Sequence, residues 1–196
     1  MPDSAPPPQV LIATDVFGNT PAVASLVRQL GVTALVVSPH EEERQFRNEQ
    51  LAYQAFLAIG GVARYADKLA QVLQQEQINY AIGFSAGASA LWINASQPQA
   101  ALLQAMTLFY GSRIRDQRTL LPRCPVRLIF AEQEAAFDPA ELAADLQRRG
   151  HAAEIAKGSR HGFMNPYSRG SCVKAQARYT QELQEQMQGA FTLAAA

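Results

Sequence analysis

The sequence has few cysteines and no excess of charge of either sign. Among its 196 residues are only two cysteines, Cys124 and Cys172, and 17 basic residues balance 17 acidic ones. Two cysteines do not make the disulfide framework of a small secreted domain, so they favour a reducing, cytoplasmic setting. A basic excess is typical of proteins that bind nucleic acid or an anionic membrane, and its absence argues against both partners.

Long hydrophobic runs are also missing. No stretch approaches the roughly 18 apolar residues of a membrane helix. Residues 1–8 are acidic and rich in proline, whereas a secretory signal begins basic and continues apolar. We interpret them as a flexible tail of one domain spanning 1–196, because this length and an apolar content of 48% suit a single core.

Motifs for metals and nucleotide cofactors are absent too. The cysteines and the three histidines show neither Cys-x-x-Cys nor His-Glu-x-x-His spacing. No Gly-x-Gly-x-x-Gly follows the first apolar run, so the sequence predicts no cofactor and no metal. We interpret Cys124 as structural, because nothing near it in the sequence lowers the pKa of a thiol. Cys172 lies at the predicted start of the last helix, where the pKa of a thiol can be lowered, but the sequence offers it no partner base and we expect no catalytic role for it.

What the sequence does contain is a regular alternation of short apolar runs and segments with helical spacing. Such alternation predicts parallel strands joined by right-handed helical crossovers, and strands that are apolar throughout are covered on both faces. The predicted class is α/β, a mostly parallel sheet of about six strands with helices on both faces and its functional edge at the strands' carboxyl ends. The six runs, the last of them weaker, are Gln9–Ala13, Val32–Val37, Asn79–Phe84, Met106–Tyr110, Val126–Ala131 and Ala152–Lys157.

The third run leads into the turn Gly83-Phe84-Ser85-Ala86-Gly87 and then into a helical segment. A Gly-x-Ser-x-Gly turn between a strand and a helix is a nucleophile elbow, in which strained backbone lifts the serine hydroxyl clear of the sheet. The N–H of Ala86, at the helix start, is free to stabilise an oxyanion. The alternative is a glycine-rich turn whose serine only caps the helix.

A serine hydroxyl needs a base to act as a nucleophile, and the chain has three histidines. With this kind of elbow the chain order of the triad is serine, acid, histidine. His161 fits best, because it lies between the last predicted strand and the final helix. His40 precedes the serine and is interpreted as a surface residue, and His151 as a solvated turn residue.

The acid is expected between the serine and the histidine, just past the fifth apolar run, where Glu132, Glu134 and Asp138 follow. Glu132 is nearest the strand end and is consistent with simple solvation. Asp138 precedes Pro139 and has Glu141 three residues on, a spacing that resembles a capping box. We favour Glu134 as the residue that orients the imidazole and keep Asp138 as the alternative.

With these blocks in place, the sequence resembles the dienelactone hydrolase family of α/β hydrolases. The resemblance implies the α/β-hydrolase fold without a separate cap domain, and hydrolysis of a carboxylic ester, lactone or thioester of a small molecule without a cofactor. Four blocks, in the family's order, carry it: Asp15-Val16-Phe17-Gly18-Asn19, Gly83 to Gly87, Phe109-Tyr110-Gly111, and His161-Gly162-Phe163-Met164-Asn165-Pro166.

The resemblance also implies roles for individual residues. Ser85 takes the position of the nucleophile and His161 that of the base. The backbone amides of Val16 and Ala86 form the oxyanion hole. Asp15 lies beside the nucleophile and helps to orient it or its neighbours.

Two departures from the family pattern leave a second function open. The namesake enzymes use cysteine where this chain has Ser85, which favours a general esterase over a dienelactone substrate. The family usually has aspartate where Glu134 aligns, and Glu41–Gly60 has no counterpart. The alternative is a catalytically silent protein of this fold that binds a ligand or a partner. The sequence leaves the oligomeric state open, including a homo-oligomer.

Three arginines could bind a substrate carboxylate, although a solvated surface position is the more common role of this side chain. They are Arg64, Arg113 and Arg115. Trp92, in the helix after the elbow, is interpreted as a core residue.

Overall fold

The computed structural model describes residues 9–41 and 44–194. The proposed tail, residues 1–8, lies outside these ranges. Each of the six predicted strands is present, and their ends differ from the prediction by no more than three residues. The strands and helices follow in the order β1 (Gln9–Ala13), α1 (Pro21–Leu30), β2 (Thr33–Val37), α2 (Glu49–Ala58), α3 (Gly61–Gln75), β3 (Tyr80–Phe84), α4 (Ala86–Asn94), β4 (Ala105–Phe109), β5 (Val126–Gln133), α5 (Pro139–Arg148), β6 (Ala152–Arg160) and α6 (Val173–Ala194).

The six strands form one sheet in the order β2-β1-β3-β4-β5-β6, and every neighbouring pair is parallel. This arrangement confirms the predicted α/β class. The chain runs outward from β1 to β2 and then returns to place β3 on the other side of β1. The segments that follow β1 and β3 therefore diverge at the carboxyl edge of the sheet, which is where open α/β sheets bind ligands.

Each face of the sheet has its own core, because successive side chains of a strand point to opposite sides. In β1, Leu11 and Ala13 pack on the face covered by α3, α4 and α5. Val10 and Ile12 pack on the opposite face, against α1 and α6. Helices therefore cover both faces, as predicted.

Helix α4, which directly follows the elbow, is deeply buried. Its residues from Ala86 to Trp92 are all buried. Trp92 is fully buried, as the sequence predicted, and its Nε1–H donates to the carbonyl of Gln117 at 2.9 Å. This packing fixes the helix whose first residue follows Ser85.

No helix in residues 9–41 and 44–194 combines the length and the apolar character needed to cross a membrane.

Candidate active site

Ser85 joins the end of β3 to the start of α4 in a strained backbone conformation. Its φ of 49° and ψ of −107° lie in a region that non-glycine residues rarely adopt. The backbone N–H of Ser85 donates to the carbonyl of Phe109 on the neighbouring strand at 2.9 Å. The sheet thus holds the strained residue in place at its carboxyl edge.

The two glycines of the elbow allow close backbone approach. A Cβ on Gly83 would lie 2.7 Å from Cα of Ala88, and a Cβ on Gly87 would lie 2.3 Å from the carbonyl oxygen of Ala13. Both distances are shorter than real Cβ contacts allow. Helix α4 can therefore pack closely against β1 and β3 only because these two positions carry no side chain.

Three side chains from distant parts of the chain form one continuous line of hydrogen bonds. Oγ of Ser85 lies 2.8 Å from Nε2 of His161. Nδ1 of His161 lies 2.8 Å and 3.0 Å from the two carboxylate oxygens of Glu134. A carboxylate only accepts hydrogen bonds, so Nδ1 carries the proton and Nε2 is free to accept that of Ser85.

Of the three acidic candidates, the structure brings only Glu134 to the imidazole. Asp138 is the N-cap of α5, where Oδ1 accepts hydrogen bonds from the backbone N–H groups of Ala140 and Glu141 at 2.8 and 3.2 Å. Glu132 accepts a hydrogen bond from the N–H of Gly158 at 2.9 Å. Both alternatives therefore have structural roles away from the histidine.

The surroundings of His161 favour its charged form. Burial acts to lower its pKa, but the hydrogen bond and the negative charge of Glu134 act against this, and the charges of Glu49 and Asp15 add to them. The net result is a pKa raised above the ordinary value of 6.5. An imidazole in this position is well suited to take a proton from the serine and hold it.

Val16 and Ala86 lie beside Ser85 along the same pocket. Ala86 is the first residue of α4, so its N–H has no acceptor within the helix. In the described ranges neither amide donates a hydrogen bond to another protein group. Two unpaired donors thus flank the serine.

His40 is not a surface residue, and the sequence-based interpretation of it is wrong. It is only 6% exposed, and its Nε2 lies 2.9 Å from the carbonyl oxygen of Val16. Because a carbonyl only accepts, Nε2 carries the proton. The one feature of the sequence that indicates a buried position for His40 is its place just after β2, at the carboxyl edge of the sheet, because the loops of that edge converge on Val16.

His151 also differs from its interpretation as a solvated turn residue. Its ring packs edge-on against Trp92, with the ring centroids 5.3 Å apart, and its Nε2 is shielded from solvent. The residue follows α5 as expected, but the turn folds back onto the core. His151 is remote from the line of hydrogen bonds that joins Ser85, His161 and Glu134.

Asp15 connects the loop after β1 to the loop that carries His161. Its Oδ1 accepts from the N–H of Phe17 at 2.9 Å, and its Oδ2 accepts from Nδ2 of Asn165 at 2.6 Å. Desolvation by burial raises the pKa of Asp15, although both hydrogen bonds act to lower it. Asn165 was part of the histidine block in the sequence, but its link to Asp15 could not be predicted from spacing.

A pocket of about 430 Å³ opens beside Ser85. Arg113 and Asp116 lie among its lining residues and form an ion pair at 3.2 Å. Arg64 and Arg115 do not line this pocket; Arg64 instead lies 3.7 Å from Glu41 on the surface. The apolar part of the wall comes mainly from α2, α3 and α4, through Tyr53, Phe56, Leu57, Val62, Ala63 and Ile93.

Both cysteines are free thiols. Burial raises the pKa of Cys124 to about 11, which opposes thiolate formation and agrees with a structural role. Among the residues that the structure describes, no group of three or more His, Cys, Asp or Glu side chains could hold a metal ion.

Comparison with known proteins places the chain in a family. The model of the dienelactone hydrolase family matches residues 1–191. An uncharacterized protein of Bacillus subtilis (strain 168), YczH, is 30% identical over 172 residues, which are 83% of this chain and 84% of that protein.

Solved structures of α/β hydrolases are similar as well. A protein from Klebsiella pneumoniae provisionally identified as a dienelactone hydrolase has a TM-score of 0.71 at 17% identity, covering 97% of this chain and 90% of its own. A dienelactone hydrolase-like promiscuous phosphotriesterase from metagenomic libraries has a TM-score of 0.69 at 19% identity, covering 95% and 88%. Mouse alpha/beta hydrolase domain-containing protein 10 has a TM-score of 0.64 at 12% identity, covering 96% and 92%. At these identities the similarity speaks for the fold alone.

Proposed function

The chain belongs to the dienelactone hydrolase family, and on that premise we propose that it is a serine hydrolase that cleaves a carboxylic ester, lactone or thioester of a small molecule. The observation that carries the proposal is the unbroken line of hydrogen bonds from Ser85 through His161 to Glu134. Such a line is the arrangement by which a serine, a weak nucleophile on its own, is activated by a base that a third group orients.

In the first half of the reaction, Oγ of Ser85 attacks the substrate carbonyl carbon. Nε2 of His161 takes the hydroxyl proton as the bond forms, and Glu134 stabilises the resulting imidazolium. The carbonyl oxygen becomes an oxyanion, which accepts hydrogen bonds from the amides of Val16 and Ala86. Collapse of this intermediate expels the alcohol or thiol, which receives the proton from Nε2 and leaves an acyl group on Ser85.

In the second half, water replaces the leaving group. His161 takes a proton from the water as its oxygen attacks the acyl carbonyl, and the same two amides hold the second oxyanion. The imidazolium then returns the proton to Oγ of Ser85 as the carboxylic acid departs. The cycle needs no cofactor, because every proton moves among Ser85, His161, the substrate and water.

The pocket beside Ser85 supports substrates with a mainly apolar acyl group. Its wall from α2, α3 and α4 is apolar, and Arg113 is already paired with Asp116. Arg113 therefore offers no free positive charge that would attract a substrate carboxylate. p-Nitrophenyl butyrate and hexanoate are suitable test substrates, because their acyl chains are short and apolar.

The test is hydrolysis of p-nitrophenyl butyrate by the wild type and by Ser85→Ala. Loss of the nucleophile is expected to reduce kcat by at least about 10³-fold, as in other serine hydrolases. Ser96→Ala is the matched control, because Ser96 lies past the far end of α4 and its hydroxyl donates to the carbonyl of Ile93 at 3.5 Å. Equal rates for the wild type and Ser85→Ala would overturn the proposal and favour a catalytically silent protein of this fold.

A further inference from the structure

The pocket beside Ser85 extends along helix α4. Three residues of α4 line it, Ala86, Ser89 and Ile93, and their spacing of three and four places them on one face of the helix. An α-helix rises 1.5 Å per residue, so this face covers about 10 Å from Ala86 to Ile93. The pocket therefore leads away from the nucleophile along the helix that follows it.

One wall of the pocket is the short helical segment Ser112–Gln117. Its N–H of Arg113 donates to Oγ of Ser89 at 3.2 Å, and its carbonyl of Gln117 accepts from Nε1 of Trp92 at 2.9 Å. These two hydrogen bonds attach the segment to α4 at two levels of the helix, three residues apart. The wall therefore follows α4 toward its C-terminal end.

The other wall is the start of α3, where Gly61, Val62 and Ala63 line the pocket. Helix α3 is held beside α4 by Nδ2 of Asn94, which donates to the carbonyl of Ala66 at 2.9 Å. Because the side chains at 61–63 are small or absent, this wall leaves room above α4.

Ile93 differs from the rest of α4 in its exposure. The other residues of the helix, from Ala86 to Trp92 and Asn94, are all buried, whereas Ile93 is only partly buried. It is also the last residue of α4 that lines the pocket. An apolar side chain thus remains available to a ligand at the end of the pocket that is remote from Ser85.

Polar groups along the pocket already have partners. Oγ of Ser89 donates to the carbonyl of Ser85 at 3.0 Å and accepts from the N–H of Arg113. The guanidinium of Arg113 is paired with Asp116. A hydrocarbon chain that passes these groups breaks none of these hydrogen bonds, so it avoids the cost of leaving a polar group unpaired.

We propose that this pocket binds the acyl chain of a medium-chain ester of about six to eight carbon atoms, and that Ile93 sets the preferred length. The inference rests on the proposed function, in which the acyl carbonyl carbon lies at Oγ of Ser85. A C–C bond of about 1.5 Å advances an extended chain by about 1.3 Å, so about eight carbons cover the 10 Å to Ile93. Carbons beyond these pass the last α4 residue of the pocket and gain little burial.

The first test compares kcat/KM for the p-nitrophenyl esters of butyrate, hexanoate, octanoate and decanoate. In the wild type kcat/KM is expected to rise about 2- to 4-fold per methylene as far as octanoate and to level off at decanoate. Ile93→Asn places a polar group where the end of the octanoyl chain lies. It is expected to lower the octanoate-to-butyrate ratio at least about 4-fold, and to leave butyrate unchanged because four carbons do not reach Ile93.

Two further variants support this comparison. Leu102→Asn makes a similar change at a position that is 77% exposed and does not line the pocket, and it is expected to keep the wild-type ratio. If Ile93→Asn does not fold, Ile93→Thr keeps the β-branched shape and is expected to lower the ratio about 2- to 4-fold.

The alcohol side of the ester is tested separately with alkyl acetates from ethyl to octyl, followed by acid release. Their relative rates are expected to be the same in the wild type and in Ile93→Asn. A preference for long alkyl groups that Ile93→Asn removes would assign the pocket to the alcohol and overturn the proposal.

A second test follows binding without turnover. Methyl octanoate is titrated into the full chain with Ser85→Ala, and amide chemical shifts are recorded by two-dimensional NMR. The largest shifts are expected in α4 and in segment 112–117, and binding is expected to weaken at least about 4-fold when Ile93→Asn is added. If the wild type hydrolyses no ester but methyl octanoate still binds in this way, the hydrolase function fails and the acyl-chain site stands.

Two results would overturn the acyl-chain site while leaving the hydrolase function intact. One is an active enzyme whose octanoate-to-butyrate ratio is the same in the wild type, Ile93→Asn and Ile93→Thr. The other is methyl octanoate binding that Ile93→Asn does not weaken, or no saturable binding at all.

Discussion

The carboxylate of Glu134 holds both of its oxygens close to Nδ1 of His161, at 2.8 and 3.0 Å. The side chain of Glu134 is 6% exposed and that of His161 is 29% exposed, so the acid is sealed from water while the imidazole still faces the pocket. Glu134 therefore reaches the imidazole even though its side chain is one methylene group longer than that of an aspartate.

Replacing Glu134 by glutamine is expected to reduce kcat by about 10² to 10⁴-fold. The amide keeps the size of the side chain but removes the charge that stabilises the imidazolium and fixes the tautomer. The measurement is steady-state hydrolysis of p-nitrophenyl butyrate. Asp138→Ala is the control for the rejected acid: it is expected to keep kcat but to lower the free energy of unfolding by about 1 kcal/mol, through loss of the α5 cap. A larger loss of kcat in Asp138→Ala than in Glu134→Gln would contradict this assignment.

The pH dependence of kcat/KM is expected to report the raised pKa of His161. The imidazole must be neutral to accept the serine proton, so activity falls as the pH is lowered through its pKa. Because Glu134, Glu49 and Asp15 favour the imidazolium, the acidic limb is expected above the ordinary value of 6.5. Removing the charge in Glu134→Gln is expected to move the acidic limb of the pH profile to lower pH. An acidic limb at the same pH in both proteins would argue against the contact between Glu134 and His161.

His40 is expected to act as a positioning residue for the loop of Val16. His40→Ala removes the donor to the Val16 carbonyl, a hydrogen bond of about 0.5–1.5 kcal/mol, and is expected to lower kcat about 2- to 10-fold with little change in KM. His40→Gln can restore a donor and is expected to recover part of the rate. His151→Ala, remote from Val16, serves as the comparison. A change confined to thermal stability would assign His40 a purely structural role.

Gly87→Ala is expected to destabilise the fold. The new Cβ would lie 2.3 Å from the carbonyl oxygen of Ala13 and 2.6 Å from that of Thr14, and backbone atoms cannot move aside cheaply. We expect a loss of at least about 1–3 kcal/mol in the free energy of unfolding, measured by urea denaturation. In Gly189→Ala, the new Cβ in α6 would meet no atom within 4 Å. This variant is expected to have a free energy of unfolding about 0.5–1 kcal/mol higher than that of the wild type. Equal stability of the two variants would show that α4 can shift away from β1.

The sheet and the elbow could be predicted because their signals are local. Strands buried on both faces are continuous apolar runs, as in β1 and β3, and the glycines around Ser85 mark a backbone that needs close approach. The helix α2 could not be predicted from periodicity, because only Ala52 and Phe56 of its residues are buried while Leu57 remains 51% exposed. A helix with so narrow a buried face shows little apolar periodicity.

The parts of the site that depend on distant contacts could not be read from the chain. Glu132, Glu134 and Asp138 lie within seven positions, and only the path of the loop determines which of them reaches His161. The burial of His40 likewise depends on where the carbonyl of Val16 points. Tertiary contacts of this kind leave no spacing in the sequence.

The most direct test of the proposed triad is covalent labelling with a fluorophosphonate, followed by mass-spectrometric mapping of the modified peptide. Activated Ser85 is expected to be phosphonylated on Oγ to near one label per chain, with labelling strongly slowed in His161→Gln and absent at this position in Ser85→Ala. A folded wild-type protein whose Ser85 stays unmodified, or labels as slowly as in His161→Gln, would contradict the account.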